Sequence, residues 1–245
     1  MRNLIALSGR AGSGKDTVGS IIQYLTAEDS SENCIKRIRG GLPIDGYHNS
    51  PYEIKKFAGK LKTIAALLSG VNIEDFEDQE FKKQRMTADW GMTYREFLQR
   101  LGTEAMRDGL HEEVWVNALF ADYRMTPPKF KDLKEGEHIF TKEFTYPKWI
   151  ITDMRFPNEM ESVKDREGIT IRVNRRFMNF TLPDYGKISV ERGILTGEEH
   201  LQLEKPHPSE TALDDAEFDY VIENDGSIEE LIEKVRDILI KEQVL

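Results

Sequence analysis

The stretch that decides the fold reads Gly9-Arg10-Ala11-Gly12-Ser13-Gly14-Lys15-Asp16-Thr17. An apolar segment, Leu4 to Leu7, precedes it, and apolar residues recur at helical spacing after it. This order of strand, glycine-rich turn and helix is the context in which the pattern G-x-x-x-x-G-K wraps a chain of phosphates. The stretch therefore predicts a nucleoside triphosphate site in preference to a simple glycine-rich turn.

Each part of this stretch has a physical role in such a site. The glycines allow the backbone to turn tightly and to point its N–H groups at an anion. Lys15 supplies a mobile positive charge for the β- and γ-phosphates, and the helix that begins there adds the positive end of its dipole. We therefore assign Gly9 to Thr17 to binding of the nucleoside triphosphate, with Lys15 as a catalytic residue.

The position after the lysine departs from the general pattern. A serine or threonine hydroxyl is expected there as a Mg²⁺ ligand, but the chain has Asp16, followed by Thr17. The carboxylate either faces Mg²⁺ through water or stabilises the first turn of the helix, where the dipole favours an acid. Asp16 and Thr17 are thus the two candidate metal residues.

Composition narrows the classes of partner. The chain has 245 residues, long enough for one α/β domain with insertions, and a net charge of −10, which argues against a nucleic acid polymer. No apolar run approaches the length of a membrane span, so we expect no membrane partner. The single cysteine, Cys34, cannot form an internal disulfide, which favours the reducing cytoplasm.

Apolar strands alternate with helical stretches along the chain, a pattern typical of a parallel sheet covered on both faces. The predicted strands are Leu4–Ser8, Glu53–Ala58, Trp149–Asp153, Ile169–Val173 and Tyr220–Glu223. Ligands of such sheets bind beyond the carboxyl ends of the strands. Asp153 and Asn224 each end or follow a predicted strand, so both should approach the glycine-rich stretch.

We expect a single domain over residues 1–245. Its parts are a core at about 1–26, 52–70, 149–175 and 208–245, a helical region at about 71–125, an insertion at 126–148 and a lid-like insertion at 176–207.

A second group of candidate residues follows the third predicted strand. Asp153 ends that strand, Arg155 comes two residues later, and Glu159 begins a helix. In phosphoryl transfer, an acid at a strand end organises Mg²⁺ or contacts a substrate hydroxyl. Alternatively, Asp153 caps the turn and Arg155 forms an ordinary ion pair with Glu159.

Arginines occur in two further groups. Arg172, Arg175 and Arg176 close the fourth strand, and their guanidinium groups suit a transferring phosphate, although a solvated basic turn is the simpler interpretation. The second group lies on one polar helix face, where it either holds a second phosphate or is simply exposed: Arg95, Gln99, Arg100 and Arg107.

Taken together, these segments make the chain resemble the phage-type deoxynucleoside monophosphate kinases. The motifs that carry the resemblance are Gly14-Lys15-Asp16-Thr17, Phe57-Ala58-Gly59-Lys60-Leu61-Lys62, Gln99-Arg100-Leu101-Gly102-Thr103-Glu104 with Trp115-Val116, Asp153-Met154-Arg155-Phe156-Pro157-Asn158-Glu159, His207-Pro208-Ser209-Glu210, and Asn224-Asp225-Gly226-Ser227 with the helix after it. The stretches 126–148 and 176–206 match poorly.

The resemblance implies a P-loop kinase fold with a five-stranded parallel sheet, a substrate-binding helical region and a lid. It implies ATP with Mg²⁺ as the donor, a deoxynucleoside monophosphate as the small-molecule acceptor, and a cytoplasmic location, in the host cell if a phage encodes the chain. A homodimer is compatible with it. Arg155, Arg172 and Arg176 would be catalytic with Lys15, and Asn224 would lie near the adenine. The implied acceptor residues are Lys60, Arg95, Gln99, Trp115, Asp153 and Glu159.

Two other functions stay open at this point. One is a P-loop kinase of another small phosphorylated metabolite, such as phosphomevalonate, which would require no nucleobase. The other is a regulatory module that binds or hydrolyses ATP without any acceptor.

Overall fold

The computed structural model describes residues 2–28, 50–87, 89–127, 144–175 and 211–245. Within these ranges, five strands form one sheet: β1 Leu4–Ser8, β2 Tyr52–Lys55, β3 Lys148–Ile151, β4 Ile169–Asn174 and β5 Tyr220–Glu223. The strands lie in the order β2-β3-β1-β4-β5, and every neighbouring pair is parallel. The predicted α/β fold with a five-stranded parallel sheet is confirmed.

The helices alternate with these strands and cover the sheet. They are α1 Lys15–Thr26, α2 Gly59–Ser69, α3 Gln79–Lys83, α4 Tyr94–Gln99, α5 Val114–Phe120, α6 Pro157–Lys164 and α7 Ile228–Lys241, with a 3₁₀ helix at Ile73–Glu77 and a π-helix at Arg100–Asp108. The helix expected over Leu101 and Ala105 therefore continues α4 in π-helical form.

Side chains of β1 alternate between two apolar layers because successive strand residues point to opposite faces. Ile5 and Leu7 pack with α1 and α7 in one layer, whereas Leu4 and Ala6 pack with α5 and α6 in the other. Burial on both faces explains why β1 reads as a continuous apolar run. A third cluster, around Phe76 and Phe97, holds the helical region between β2 and β3 together.

The predicted ends of two strands are wrong. Strand β2 stops at Lys55 instead of Ala58, and β3 stops at Ile151 instead of Asp153. The reason is a side-chain bond between the two turns: Asp153 accepts hydrogen bonds from the backbone N–H groups of Phe57 and Ala58. These backbone groups are thereby withdrawn from the sheet and form the turn that leads into α2.

Several predicted segments lie outside the described residues, namely the lid-like insertion at 176–207 with Arg176, most of the insertion at 126–148, and Cys34. At the ends of the 126–148 segment, Thr126 and Thr145 form an isolated antiparallel bridge. None of the described helices is long and apolar enough to span a membrane.

Candidate functional site

The glycine-rich loop joins β1 to α1 at the carboxyl edge of the sheet. Gly12 and Gly14 adopt positive φ angles of 76° and 94°, which residues with a side chain rarely take. A Cβ atom at Gly14 would also collide with the side-chain amide of Asn224. The tight turn expected from the sequence is therefore present, and glycine is required at Gly14 for two independent reasons.

Lys15 begins α1, and its side chain lies across the loop. It is 8% exposed, and its Nζ donates to the carbonyl oxygen of Arg10 over 3.4 Å. The buried hydroxyl of Ser13, 1% exposed, has no hydrogen-bond partner among the described residues. A buried polar atom without a partner costs free energy, so this orphan hydroxyl inside the loop is a feature that a polar ligand would satisfy.

Asn224 supports this loop from the end of β5. Its Nδ2 donates to the carbonyl oxygen of Ser13 over 2.8 Å, and its backbone N–H donates to Asn174 at the end of β4. The sequence correctly brings Asn224 to the glycine-rich loop. Its contact with adenine stays a prediction.

Asp16 projects into solvent at the first turn of α1. Its side chain is 70% exposed, and Oδ1 lies 4.0 Å from Nζ of Lys56, which follows β2. Thr17 is partly buried beside it. In the part of the chain that the structure describes, no group of three or more His, Cys, Asp or Glu side chains is arranged to hold a metal ion.

Two lysines, one just after β2 and one on α2, share the carboxylate of Glu77. Lys56 Nζ lies 3.3 Å from Oε2 of Glu77, and Lys62 Nζ lies 2.5 Å from the other oxygen of the same carboxylate. Burial raises the pKa of Glu77, but the hydrogen bonds and charges of the two lysines outweigh this and lower it. Glu77 thus stays ionised and gathers both lysines beside the loop.

Further positive charges surround Lys82 on α3. Burial lowers the pKa of Lys82, and the nearby charges of Lys62, Arg95 and Arg155 lower it further. Arg95 Nη2 also donates to Gln79 Oε1 over 3.0 Å. We call these cations the basic crevice: Lys56, Lys62, Lys82, Arg95 and Arg155. Its net positive charge suits a phosphate, because a bound anion would reduce the repulsion among these neighbouring cations.

Asp153 fixes the turn that follows Lys56. Its Oδ1 accepts from the N–H of Phe57 over 2.7 Å, and its Oδ2 accepts from the N–H of Ala58 over 3.0 Å. Burial raises the pKa of Asp153, whereas these two hydrogen bonds oppose the rise. Asp153 therefore caps a turn, as the alternative interpretation of the sequence expected. The capped turn is the one between β2 and α2, and not the one that precedes α6.

Glu159 plays the matching role at the start of α6. Its Oε2 accepts from the backbone N–H groups of Arg155 and Phe156, and its Oε1 pairs with Arg107 Nη2 at 2.7 Å. The ion pair predicted with the side chain of Arg155 is instead formed with Arg107, at the end of the π-helix. Arg107 also stacks on Phe156, with 4.0 Å between Cζ and the ring centroid.

Three other predicted acceptor residues are not brought into the basic crevice by any contact. Lys60 Nζ pairs with Asp122 at 2.7 Å, and the side chain of Gln99 is exposed on α4. Trp115 is 4% exposed, and its Nε1 donates to the carbonyl oxygen of Gly102 over 2.9 Å. Their contacts with an acceptor stay predictions.

On the other side of the glycine-rich loop, Arg172 faces a cavity of about 380 Å³. It is 11% exposed, and its Nη1 donates to Ser8 Oγ over 3.2 Å. Arg172 and Arg10, both predicted from the sequence, pair with one carboxylate, Asp214. Of the two arginines predicted together with Arg172, Arg175 also lines this cavity, and Arg176 lies outside the described residues.

Sequence reasoning missed several residues that shape the site. Lys56 and Lys62 lie in or next to a motif that was singled out, so their spacing around the turn after β2 was an available signal. Glu77 and Lys82 lie in a charged segment with no motif, and Asp214 lies after the His207-Pro208-Ser209-Glu210 motif but outside it. No local pattern marks these three residues.

No protein-family model matches this chain, and no curated protein matches it either.

Proposed function

We propose that this protein is a deoxynucleoside monophosphate kinase that transfers the γ-phosphoryl group of ATP to a deoxynucleoside monophosphate. One observation carries the proposal: the glycine-rich loop and the basic crevice lie next to each other at the same edge of the sheet. Nζ of Lys56, which belongs to the crevice, lies 4.0 Å from Oδ1 of Asp16, which belongs to the loop. Two anion sites side by side suit a donor and an acceptor that both carry phosphates.

The loop supports the donor half of the proposal. Its N–H groups, the amino terminus of the 12-residue helix α1 and the ammonium group of Lys15 provide preorganised positive charge. The orphan hydroxyl of Ser13 would gain a partner when a phosphate chain fills the loop. Asn224 would keep the loop in place, since its amide already bonds to Ser13.

The basic crevice supports the acceptor half. A phosphate oxygen of the acceptor attacks the γ-phosphorus, and the bond from that phosphorus to the bridging β–γ oxygen breaks, which releases ADP. No protein nucleophile is required, because alignment and charge stabilisation supply most of the catalysis. Lys56 and Arg155 would hold the acceptor phosphate, and Lys15 would stabilise charge on the transferring group.

Asp16 and Thr17 fit a Mg²⁺ ion that arrives with ATP. Both offer oxygen atoms at the start of α1, and the exposed carboxylate of Asp16 can accept a water ligand of the ion. When bound, Mg²⁺ neutralises charge on the phosphate oxygens. Asp16 would then orient the hydrated ion, while Lys56 balances the carboxylate.

The preference for a deoxy sugar rests on the family resemblance. The test is to screen all ribo- and deoxynucleoside monophosphates, and phosphomevalonate, for ADP formation with ATP and Mg²⁺. We expect deoxynucleotides to be accepted. Turnover of phosphomevalonate alone, or ATP hydrolysis that no acceptor stimulates, would overturn the proposal in favour of the two other functions.

The matched pair for this screen is Lys15→Met and Lys241→Met. Both variants lose one positive charge, but Lys241 is exposed at the end of α7. Loss of the loop lysine should lower kcat/KM at least about 100-fold, as expected for a group that stabilises the transition state. Lys241→Met should retain normal activity, and near-normal turnover by folded Lys15→Met would contradict the assignment of the loop.

A further inference from the structure

Asp214 lies between two arginines beside the glycine-rich loop. Its Oδ2 accepts a hydrogen bond from Arg10 Nη2 over 2.8 Å, and its Oδ1 accepts one from Arg172 Nη2. Arg10 belongs to the loop itself, whereas Arg172 lies on β4. A carboxylate of the chain therefore occupies a position that two guanidinium groups offer to an anion.

The two arginines differ in how firmly they are held. The side chain of Arg172 is 11% exposed and bonds to Ser8 as well as to Asp214, so its position is fixed by the sheet. The side chain of Arg10 is 57% exposed and extends from the loop into solvent. Arg10 is therefore the member of the pair that can rotate towards a ligand on the loop.

The charge of Asp214 agrees with this arrangement. Burial raises the pKa of Asp214, but the hydrogen bonds and charges of Arg10 and Arg172 outweigh that effect and lower it. The carboxylate is thus ionised at neutral pH. It contributes a full negative charge at the rim of the cavity that Arg10, Ser13 and Arg172 also line.

We propose that Asp214 is an internal competitor for Arg10, and that a phosphate chain bound on the loop takes this arginine over. The proposal rests on the proposed function, because it requires the loop to bind a nucleoside triphosphate. In the free protein Arg10 is committed to Asp214, so binding must first break that pair. The apparent affinity for the triphosphate is therefore lower than the intrinsic affinity, in proportion to the fraction of molecules in which Arg10 is released from Asp214.

The direction of this effect is open to measurement. If Asp214 competes, its neutralisation releases Arg10 and removes a charge that repels phosphate, and ATP binds more tightly. If Asp214 instead holds Arg10 in its binding position, neutralisation disorders Arg10 and ATP binds more weakly. The two roles therefore predict changes of opposite sign.

The experiment compares Asp214→Asn with the matched control Asp215→Asn in calorimetric titrations with ATP and with adenosine. Both variants lose one negative charge, and Asp215 is an exposed neighbour on the same segment. We expect Asp214→Asn to lower the Kd for ATP about two- to fivefold, the range for releasing a partly exposed ion pair. Adenosine, which has no phosphate, should show no gain, and Asp215→Asn should bind ATP as the wild-type protein does.

The same titration in an Arg10→Ala background isolates the arginine. There, Asp214→Asn should tighten ATP binding less than it does in the wild-type background, because only the loss of its repulsive charge remains, and an undiminished gain would overturn the competition for Arg10. Asp214→Ser provides a second neutral variant if Asp214→Asn does not fold. Unchanged or weaker ATP binding by the neutral variants, with normal binding by the wild-type protein, overturns this inference alone. Failure of every protein to bind ATP would overturn the proposed function as well.

Discussion

Glu159 shows at the scale of one residue that a predicted ligand also supports the backbone around it. Its two oxygens accept from the backbone of Arg155 and Phe156 and from Arg107, and the side chain is 2% exposed. These bonds fix the turn that carries Arg155 into the basic crevice. A carboxylate that holds the backbone of a cation can be essential for binding without touching the substrate.

Its titration gives a prediction. Burial raises the pKa of Glu159 from 4.5 to about 7, with the charge of Asp153 adding to the rise and the bonds from Arg155 and Arg107 opposing it. Between these pH values the folded state holds a proton that the unfolded state has released. The stability that this proton contributes is therefore complete below about pH 4.5 and is lost as the pH rises to about 7.

Glu159→Gln removes this titration. From pH 4.5 to 7, the free energy of unfolding of the wild-type protein should fall relative to that of the variant by about 3 kcal/mol, and the difference should be constant above this range. Urea unfolding at several pH values measures it, with Glu217→Gln as an exposed control. Parallel curves for the wild-type protein and Glu159→Gln would show that the carboxyl titrates equally in both states.

At the scale of elements, the segment that a single sequence specifies best is β1 with its loop and α1. Leu4–Ser8 is buried on both faces, and the glycines have the positive φ angles that the tight turn requires, so local sequence and structure agree. The bounds of β2 and β3 were predicted less well. They depend on Asp153 bonding to Phe57, which is 96 residues away in sequence, and no local pattern reports such a contact.

The π-helix Arg100–Asp108 is an element that helical periodicity does not reveal, because its residues still show an apolar stripe. Trp115 supports it from α5 by donating its indole N–H to the carbonyl oxygen of Gly102. Gly102 packs against Leu61, where an added Cβ would meet Cδ2 at 2.9 Å. The π-helix therefore rests on α2 and α5 together.

Trp115→Phe tests this support because it keeps an aromatic ring and removes the donor. We expect the free energy of unfolding to fall by about 1 to 3 kcal/mol, the cost of leaving a buried acceptor without its partner and of a small cavity. The ratio of kcat/KM for dGMP and GMP separates this support from the predicted contact of Trp115 with the acceptor, because a role in the π-helix alone leaves the ratio unchanged. A narrower ratio with normal stability would instead assign Trp115 to the exclusion of the ribose 2′-hydroxyl.

At the scale of the whole molecule, the parallel sheet explains why distant segments meet. The loop after β1, the turn after β2 and the turn after β3 all lie at one edge, because parallel strands end on the same side. That edge could be predicted from the strand pattern. Arg95 and Arg155 of the basic crevice could also be predicted, from the family resemblance. Lys82 and the nearby Glu77 could not, since they come from the helical region and are positioned by the packing of Phe76 and Phe97.

The two proposed anion sites lead to a final prediction about the whole protein. A bisubstrate analogue, in which adenosine and the best deoxynucleoside acceptor are joined through five phosphates, should bind both sites at once. Because the second half of the analogue binds intramolecularly once the first half is bound, the Kd of the analogue should be at least about tenfold lower than that of ATP. At a concentration 100 times its Kd, the analogue should stabilise the folded protein by about 2.7 kcal/mol.

Calorimetry and thermal unfolding with Mg²⁺ measure both quantities. Arg155→Met should reduce the advantage of the analogue over ATP while leaving ATP binding itself within about threefold, as expected for a cation that serves the second site. Lys15→Met should weaken ATP and the analogue together. An analogue that binds no more tightly than ATP would mean that the basic crevice does not receive a second phosphorylated substrate, because the linked ligand would then gain nothing from the cations that surround Glu77.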